Sequence, residues 1–163
     1  MGYWAASLGA CANAQTVLAL SGDGSTQMNI QEMATLQYYH FPIKLFVYNN
    51  KGYLLIRHNQ HNYMQDRFLG VGEDSGVPSV DFCAVAAAYG LPTMRITPSD
   101  ELEEKLCEVL RMEGPVVCEV MTQEFGMIAP RIASRVMQDG SLKAAEFEDL
   151  WPFLENGELP DAQ

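Results

Sequence analysis

One acid and two amides stand where a chain would place ligands for an ion. In "LALSGDGSTQMN" (18–29) an apolar run stops at Asp23, which is held between Gly22 and Gly24 and followed by Ser25 and Thr26. In "PIKLFVYNNKGY" (42–53) a second apolar run stops at Asn49 and Asn50, followed by Lys51, Gly52 and Tyr53. If the two runs are neighbouring parallel strands, these residues meet beyond the carboxyl ends, where open sheets of this kind bind ligands. A carboxylate, a side-chain amide oxygen from the Asn49–Asn50 pair and a backbone carbonyl freed by the turn at Gly52 make half an octahedron of oxygens. Mg²⁺ suits such a set and completes its shell with water and phosphate oxygens. Glycines let the backbone approach a diphosphate and turn N–H groups toward it, and a helix N-terminus adds favourable potential. The expected site is Mg²⁺ with a diphosphate.

Plainer readings exist for each residue. An isolated Asp at a strand end is a turn residue satisfying local N–H groups; the second set at Asn49–Asn50 is what favours a ligand. Asn49 is read as capping its strand, leaving Asn50 to face the ion. His58 and His61 have an i, i+3 spacing but no third ligand nearby, so a surface helix rich in amides explains them better than a metal site. Met28, Met33 and Met64 are expected to fill gaps in the core or pocket. Glu32, the acid nearest the motif, falls in a helix's first turn and is assigned a structural or interface role.

The elements that must position these residues alternate. "TVLALS" (16–21) reads as a strand covered on both faces. A helix is expected from Asn29, capped by that residue, with Ile30, Met33, Ala34, Leu36 and Gln37 near 3.6-residue spacing. After the strand at 42–50, "KGYLLIRHNQ" is a loop entering a short helix. Residues 62–79, with Gly70, Gly72, Gly76 and Pro78 and few apolar side chains, read as a long, mobile surface segment. Asp81 is the N-cap of "FCAVAAAYG", which Gly90 stops. "TMRIT" is a strand, "PSDELEEKLCEVLRM" an amphipathic helix and "GPVVCEVM" another strand. Alternation of this kind predicts an α/β chain, a three-layer α/β/α sandwich around a mostly parallel sheet. The expected domain covers 1–121. Residues 122–163 form an extension on the same domain, with Trp151, Phe153 and Leu154 folding back onto its body.

Composition narrows the function. The 163 residues fit one domain able to bury roughly 70% of its unfolded surface. Net charge is −11, against a nucleic-acid partner, which needs clustered Lys and Arg. The first 96 residues carry 6 acids against 5 bases, so that near-neutral part is where an anion could be held. Cys11, Cys83, Cys107 and Cys118 show no paired spacing, which points to a reducing, cytoplasmic setting. No export leader or membrane span is expected from the sequence.

Taken together, "GDGS" at 22–25 and "NN" at 49–50 followed by "KG" resemble the signature of thiamine-diphosphate-dependent enzymes. The flanks "QMNIQEMATL" and "NNKGYLLIRHNQ" are similar to the acetolactate-synthase-like group. The resemblance runs from "MGYWAASLGA" to "EDLWPFL", nearly the whole chain. It implies thiamine diphosphate and Mg²⁺ as cofactors, with Asp23 and Asn50 ligating the ion by side chains and Gly52 by its carbonyl. It further implies that Gly24 and Ser25 donate N–H groups to the diphosphate. Met1 would lie under the bent cofactor, and Gly22 and Tyr53 would line it. Trp4 stands where the family usually has glycine.

What the resemblance leaves outside the chain also matters. The activating glutamate of these enzymes belongs to a pyrimidine-binding domain, and this sequence does not contain it. Two readings follow. The chain is the diphosphate-binding domain or subunit of a 2-oxo acid decarboxylase or carboligase, inactive alone and dependent on a pyrimidine-binding domain or subunit for the catalytic glutamate, or it is a non-catalytic Mg²⁺/diphosphate-binding or assembly module. Because the family's pocket lies between subunits, a homo-oligomer is expected.

Overall fold

The computed structural model describes residues 3–12, 14–98, 101–137, 139–144, 147 and 150–152. The chain falls into two compact units, Met1–Gly126 and Met127–Gln163.

The first unit is built on four parallel strands: β1 (Val17–Gly22), β2 (Ile43–Asn49), β3 (Thr93–Ile96) and β4 (Val116–Met121), in the order β1-β2-β4-β3. Between them run α1 (Ser7–Ala10), α2 (Asp23–Gln27), α3 (Glu32–Tyr39), α4 (Leu54–Tyr63), α5 (Phe82–Ala88) and α6 (Leu102–Arg111). The α/β class and the parallel sheet are as the alternation predicts.

β2 has a strand on either side, and its apolar residues face both layers. On one face Ala19, Ile43, Leu45, Val47 and Val117 meet Met33 and Leu36 of α3, Phe82 and Ala86 of α5, and Trp4. On the other, Phe46, Ile96, Val116 and Cys118 meet Val109 of α6. Burial of each large apolar side chain contributes about 1.5–3 kcal/mol. Lys44, also buried in β2, is satisfied because its ammonium donates to the carbonyls of Met112 and Gly114 beyond α6. Burial lowers its pKa.

Caps follow the expected chemistry at α5. The Asp81 carboxylate accepts from the Ala84 N–H at 2.8 Å, and Gly90, at φ 79°, turns the chain after the helix.

Several details depart from the sequence reading. β1 is not covered on both faces. Ala19 and Ser21 are buried, but Leu18 and Leu20 are 56% and 64% exposed, because β1 is an edge strand and α6 covers the second face over β3 rather than here. α3 begins at Glu32, not Asn29; residues 29–34 are joined by i→i−3 bonds from Glu32, Met33 and Ala34, and Gln31 stands at the cap without a side-chain bond. Met33 is fully buried, whereas Met28 and Met64 are exposed and fill no gap. Residues 64–81 lack long elements but are tied down: the Gln60 side chain pairs with the backbone of Leu69 in both directions, and Ser75 Oγ accepts from Val71 N and Gly72 N.

In the second unit, β5 (Ser134–Val136) and β6 (Leu142–Ala144) form an antiparallel hairpin, and Arg131 pairs with Trp151, its guanidinium 5.1 Å from the indole centroid. Phe153 and Leu154 lie outside the described residues. Among the described residues no helix is long and apolar enough to cross a membrane.

Candidate functional site

β1 and β2 are adjacent and in parallel register, Gly22 opposite Tyr48, so their carboxyl ends bring the two motifs together. Gly22 ends β1. Asp23, Gly24 and Ser25 then form the first turn of α2, so the chain changes from strand to helix at the acid itself.

The Asp23 carboxylate is buried, 6% exposed. Its Oδ1 accepts from Gly24 N at 2.7 Å, and its Oδ2 accepts from Gly52 N at 2.8 Å. Burial raises the Asp23 pKa, and the N–H groups of Gly52, Gly24, Asn50 and Lys51 oppose that rise. Among the described residues no Lys or Arg pairs with it. The Lys51 ammonium, two residues from the Asn49 end of β2, is engaged by Glu124 at 2.7 Å. A buried carboxylate held only by neutral donors is a favourable place for a cation.

Asn50 supplies the second element. Its Oδ1 is buried and has no hydrogen-bond partner. Such an orphaned acceptor is costly unless something else occupies its lone pairs. Asn49 is, by contrast, fully engaged: Nδ2 donates to Val80 O (3.1 Å) and Glu119 Oε1 (2.6 Å), and Oδ1 accepts from Lys51 N (3.0 Å). The two asparagines therefore differ: Asn49 is held in the frame by three bonds, and the Asn50 side-chain oxygen has no partner.

The turn that follows is tight. Lys51 adopts φ 59° and Gly52 φ 153°. A Cβ on Gly52 would lie 2.0 Å from Val71 O, so only glycine fits. Gly52 pairs with Gly72 in an isolated antiparallel bridge, and Tyr53 N donates to Val71 O at 2.9 Å. The Tyr53 ring covers Gly24, where a Cβ would come within 2.4 Å of Cε1. Gly24 is thus bare because an aromatic ring, besides any ligand, occupies its flank. Met1 lies outside the described residues.

α4 carries the next layer. Arg57 donates to the carbonyls of Glu124 and Val71. His58 is buried, not on a surface as the amide-rich sequence suggests; its Nε2 is 2.9 Å from Gly126 O, and its ring stacks on Phe125. His61 pairs with Asp66 at 2.5 Å. The two histidines hydrogen-bond to different partners, while both rings pack on Phe125. A cleft of about 490 Å³ beside the turn is lined by Lys51, Arg57, His61, Phe68, Glu124 and Phe125, among others. Glu32 accepts from Thr35 Oγ1 within its own helix.

Sequence reasoning missed Glu119. It is 1% exposed in β4 and binds Arg95 at 2.7 Å and Asn49 at 2.6 Å, while Arg95 reaches Asp81 at 2.5 Å. The available signal was a lone acid inside the apolar strand "VVCEVM".

A parallel α/β sheet thus brings an acid, an orphaned amide oxygen and glycine-lined backbone together at two adjacent strand ends. The chain matches the family model "Thiamine pyrophosphate enzyme, C-terminal TPP binding domain" over residues 1–120. It is 35% identical over 118 residues to the acetolactate synthase large subunit of Cyanidium caldarium, covering 70% of this chain and 20% of that protein. It is 31% identical over 117 residues to acetolactate synthase isozyme 2 large subunit of Escherichia coli (strain K12), covering 72% and 21%. The thiamine diphosphate-dependent 4-hydroxybenzoylformate decarboxylase of Rhodococcus jostii RHA1 shares the fold, with TM-score 0.67 and 24% identity over 77% of this chain and 24% of that one. The chain belongs to the thiamine pyrophosphate enzyme family, as its C-terminal cofactor-binding domain. It is acetolactate-synthase-like and spans about a fifth of the length of these curated relatives. Thiamine diphosphate with Mg²⁺ is the cofactor pair that this membership implies.

Proposed function

We propose that this chain holds the diphosphate end of thiamine diphosphate through Mg²⁺ in a 2-oxo acid decarboxylase or carboligase. The observation that carries this is the buried Asn50 Oδ1, without a partner, at the strand end next to the buried Asp23 carboxylate. Asp23 and Asn50 ligate the ion by side chains and Gly52 by its carbonyl, a hard oxygen set. Ser25 donates its backbone N–H to the diphosphate at the first turn of α2, while Gly24, whose own N–H is held by Asp23 Oδ1, lines the diphosphate as bare backbone. Gly22 and Tyr53 line the cofactor.

Thiamine diphosphate, when bound, supplies the electron sink for cleaving the bond beside a 2-oxo acid carbonyl. The chain's part is binding and orientation. Activation falls to a glutamate on a pyrimidine-binding domain or subunit, general acid–base help worth about 10²–10⁴ in rate. The exposed Leu18 and Leu20 of β1, with Tyr48 of β2, favour such a contact and a homo-oligomeric assembly.

The test is calorimetric titration of the chain with thiamine diphosphate, with Mg²⁺ and again in EDTA. Saturable binding only with Mg²⁺ is expected; equal binding in EDTA would overturn the proposal. Turnover of pyruvate should appear only when a pyrimidine-binding domain is added.

A further inference from the structure

We infer that Glu119 is a positioning residue for the turn that carries Asn50 and Gly52, acting through Asn49. The inference rests on the Mg²⁺ reading of that turn and extends it to a residue on another strand.

Glu119 sits in β4, opposite Val47 of β2 and Arg95 of β3. An acid so placed is costly unless its oxygens are filled. They are. Oε2 accepts from Arg95 Nε at 2.8 Å and pairs with Nη2 at 2.7 Å, while Oε1 accepts from Asn49 Nδ2 at 2.6 Å and Phe82 N at 3.3 Å.

The bond to Asn49 has a directional consequence. Asn49 must donate to both Glu119 and Val80 O, so its other end can only be the acceptor. Rotating the amide would set Oδ1 against a carboxylate and a carbonyl, and Nδ2 against the Lys51 N–H. Glu119 therefore fixes Oδ1 on Lys51 N, in the residue held at φ 59°. One residue before it is the unpartnered Asn50 Oδ1; one after is the Gly52 N–H that binds Asp23. A strut serving only to neutralise Arg95 would need no bond to Asn49, since Asp81 also holds that guanidinium.

Two readouts test this on the full chain: Mn²⁺ affinity in excess thiamine diphosphate, from the free-ion electron paramagnetic resonance signal, and amide exchange at Lys51 and Gly52 without metal. Glu119→Gln is expected to weaken Mn²⁺ binding about tenfold, at the lower end for residues that orient metal ligands. Asn49→Ala should do the same, and the double variant should be no worse than either single, because both break one bond. Both singles should speed exchange at Lys51 and Gly52. Val109→Ala, a core truncation on α6, should leave both readouts unchanged. Wild-type affinity in Glu119→Gln, or unchanged exchange at Lys51, would overturn the inference. If Glu119→Gln does not fold, Asn49→Ala decides, since it leaves the Glu119–Arg95 pair intact. Asp23→Ala separates the two layers of argument. Retained Mn²⁺ binding there would refute the metal reading, while the exchange data still decide Glu119's hold on the turn.

Discussion

The Gly52 N–H donates to Asp23 Oδ2 at 2.8 Å, joining the turn after one strand to the acid that follows its neighbour. This bond spans two strand ends far apart in sequence and sets both halves of the candidate site in one frame. It also makes the site sensitive to substitutions that carry no charge.

Gly52→Ala is the most demanding of these. The new Cβ would meet the Val71 carbonyl at 2.0 Å, in a backbone conformation that L side chains rarely adopt. Backbone strain of this kind costs about 1–3 kcal/mol. Urea unfolding should show a loss of at least that size, and metal-dependent binding of thiamine diphosphate should fall with it.

Gly24→Ala is predicted to act through Tyr53. Its Cβ would lie 2.4 Å from Tyr53 Cε1, so the ring must move. The variant should be destabilised, and adding Tyr53→Ala should recover part of the loss relative to the sum of the two singles. A strictly additive double-mutant cycle in thermal unfolding would contradict this contact.

A pH dependence follows from Asp23. Burial raises its pKa above the ordinary 3.8, so the native state holds the proton more tightly than the unfolded chain. For a raised carboxyl, the favourable contribution is full below the unfolded value and is lost as pH rises through the folded one. In EDTA, wild-type stability measured against Asp23→Asn should therefore fall as pH rises from about 4 toward neutrality. Mg²⁺ with thiamine diphosphate should reverse that fall. A flat difference across this range would contradict it.

Thiol chemistry gives a check away from the site. Burial pushes the Cys118 thiol up to about 12 and the Cys83 thiol up to about 11. Since the thiolate is the reactive form, both should resist iodoacetamide at neutral pH and label readily in urea. Mass spectrometry of the digested protein reads the difference.

Much of this was legible in the chain because local signals and the tertiary structure agree. Apolar runs ending in Asp23 and Asn49–Asn50 mark the strand ends, and Asp81 with Gly90 brackets α5. What stayed hidden depends on contacts distant in sequence. The exposure of Leu18 and Leu20 reflects which strand lies at the sheet edge, and strand order is not written in a strand's own residues. His58 is buried because Phe125 and Gly126, beyond β4, pack on α4. Gly24 reads as a diphosphate glycine, yet its bareness is also imposed by the Tyr53 ring. Glu119 carries no local motif; its partners come from β2, β3 and the start of α5.

The central claim is that Asp23 and Asn50 together hold the ion that binds the diphosphate. The most direct measurement is calorimetric titration of thiamine diphosphate, in Mg²⁺, into the wild-type chain, Asp23→Ala and Asn50→Ala. The account predicts saturable binding by the wild type, none by Asp23→Ala, which removes the charge, and weakened binding by Asn50→Ala, which removes a neutral oxygen. Unchanged affinity in Asp23→Ala would contradict it.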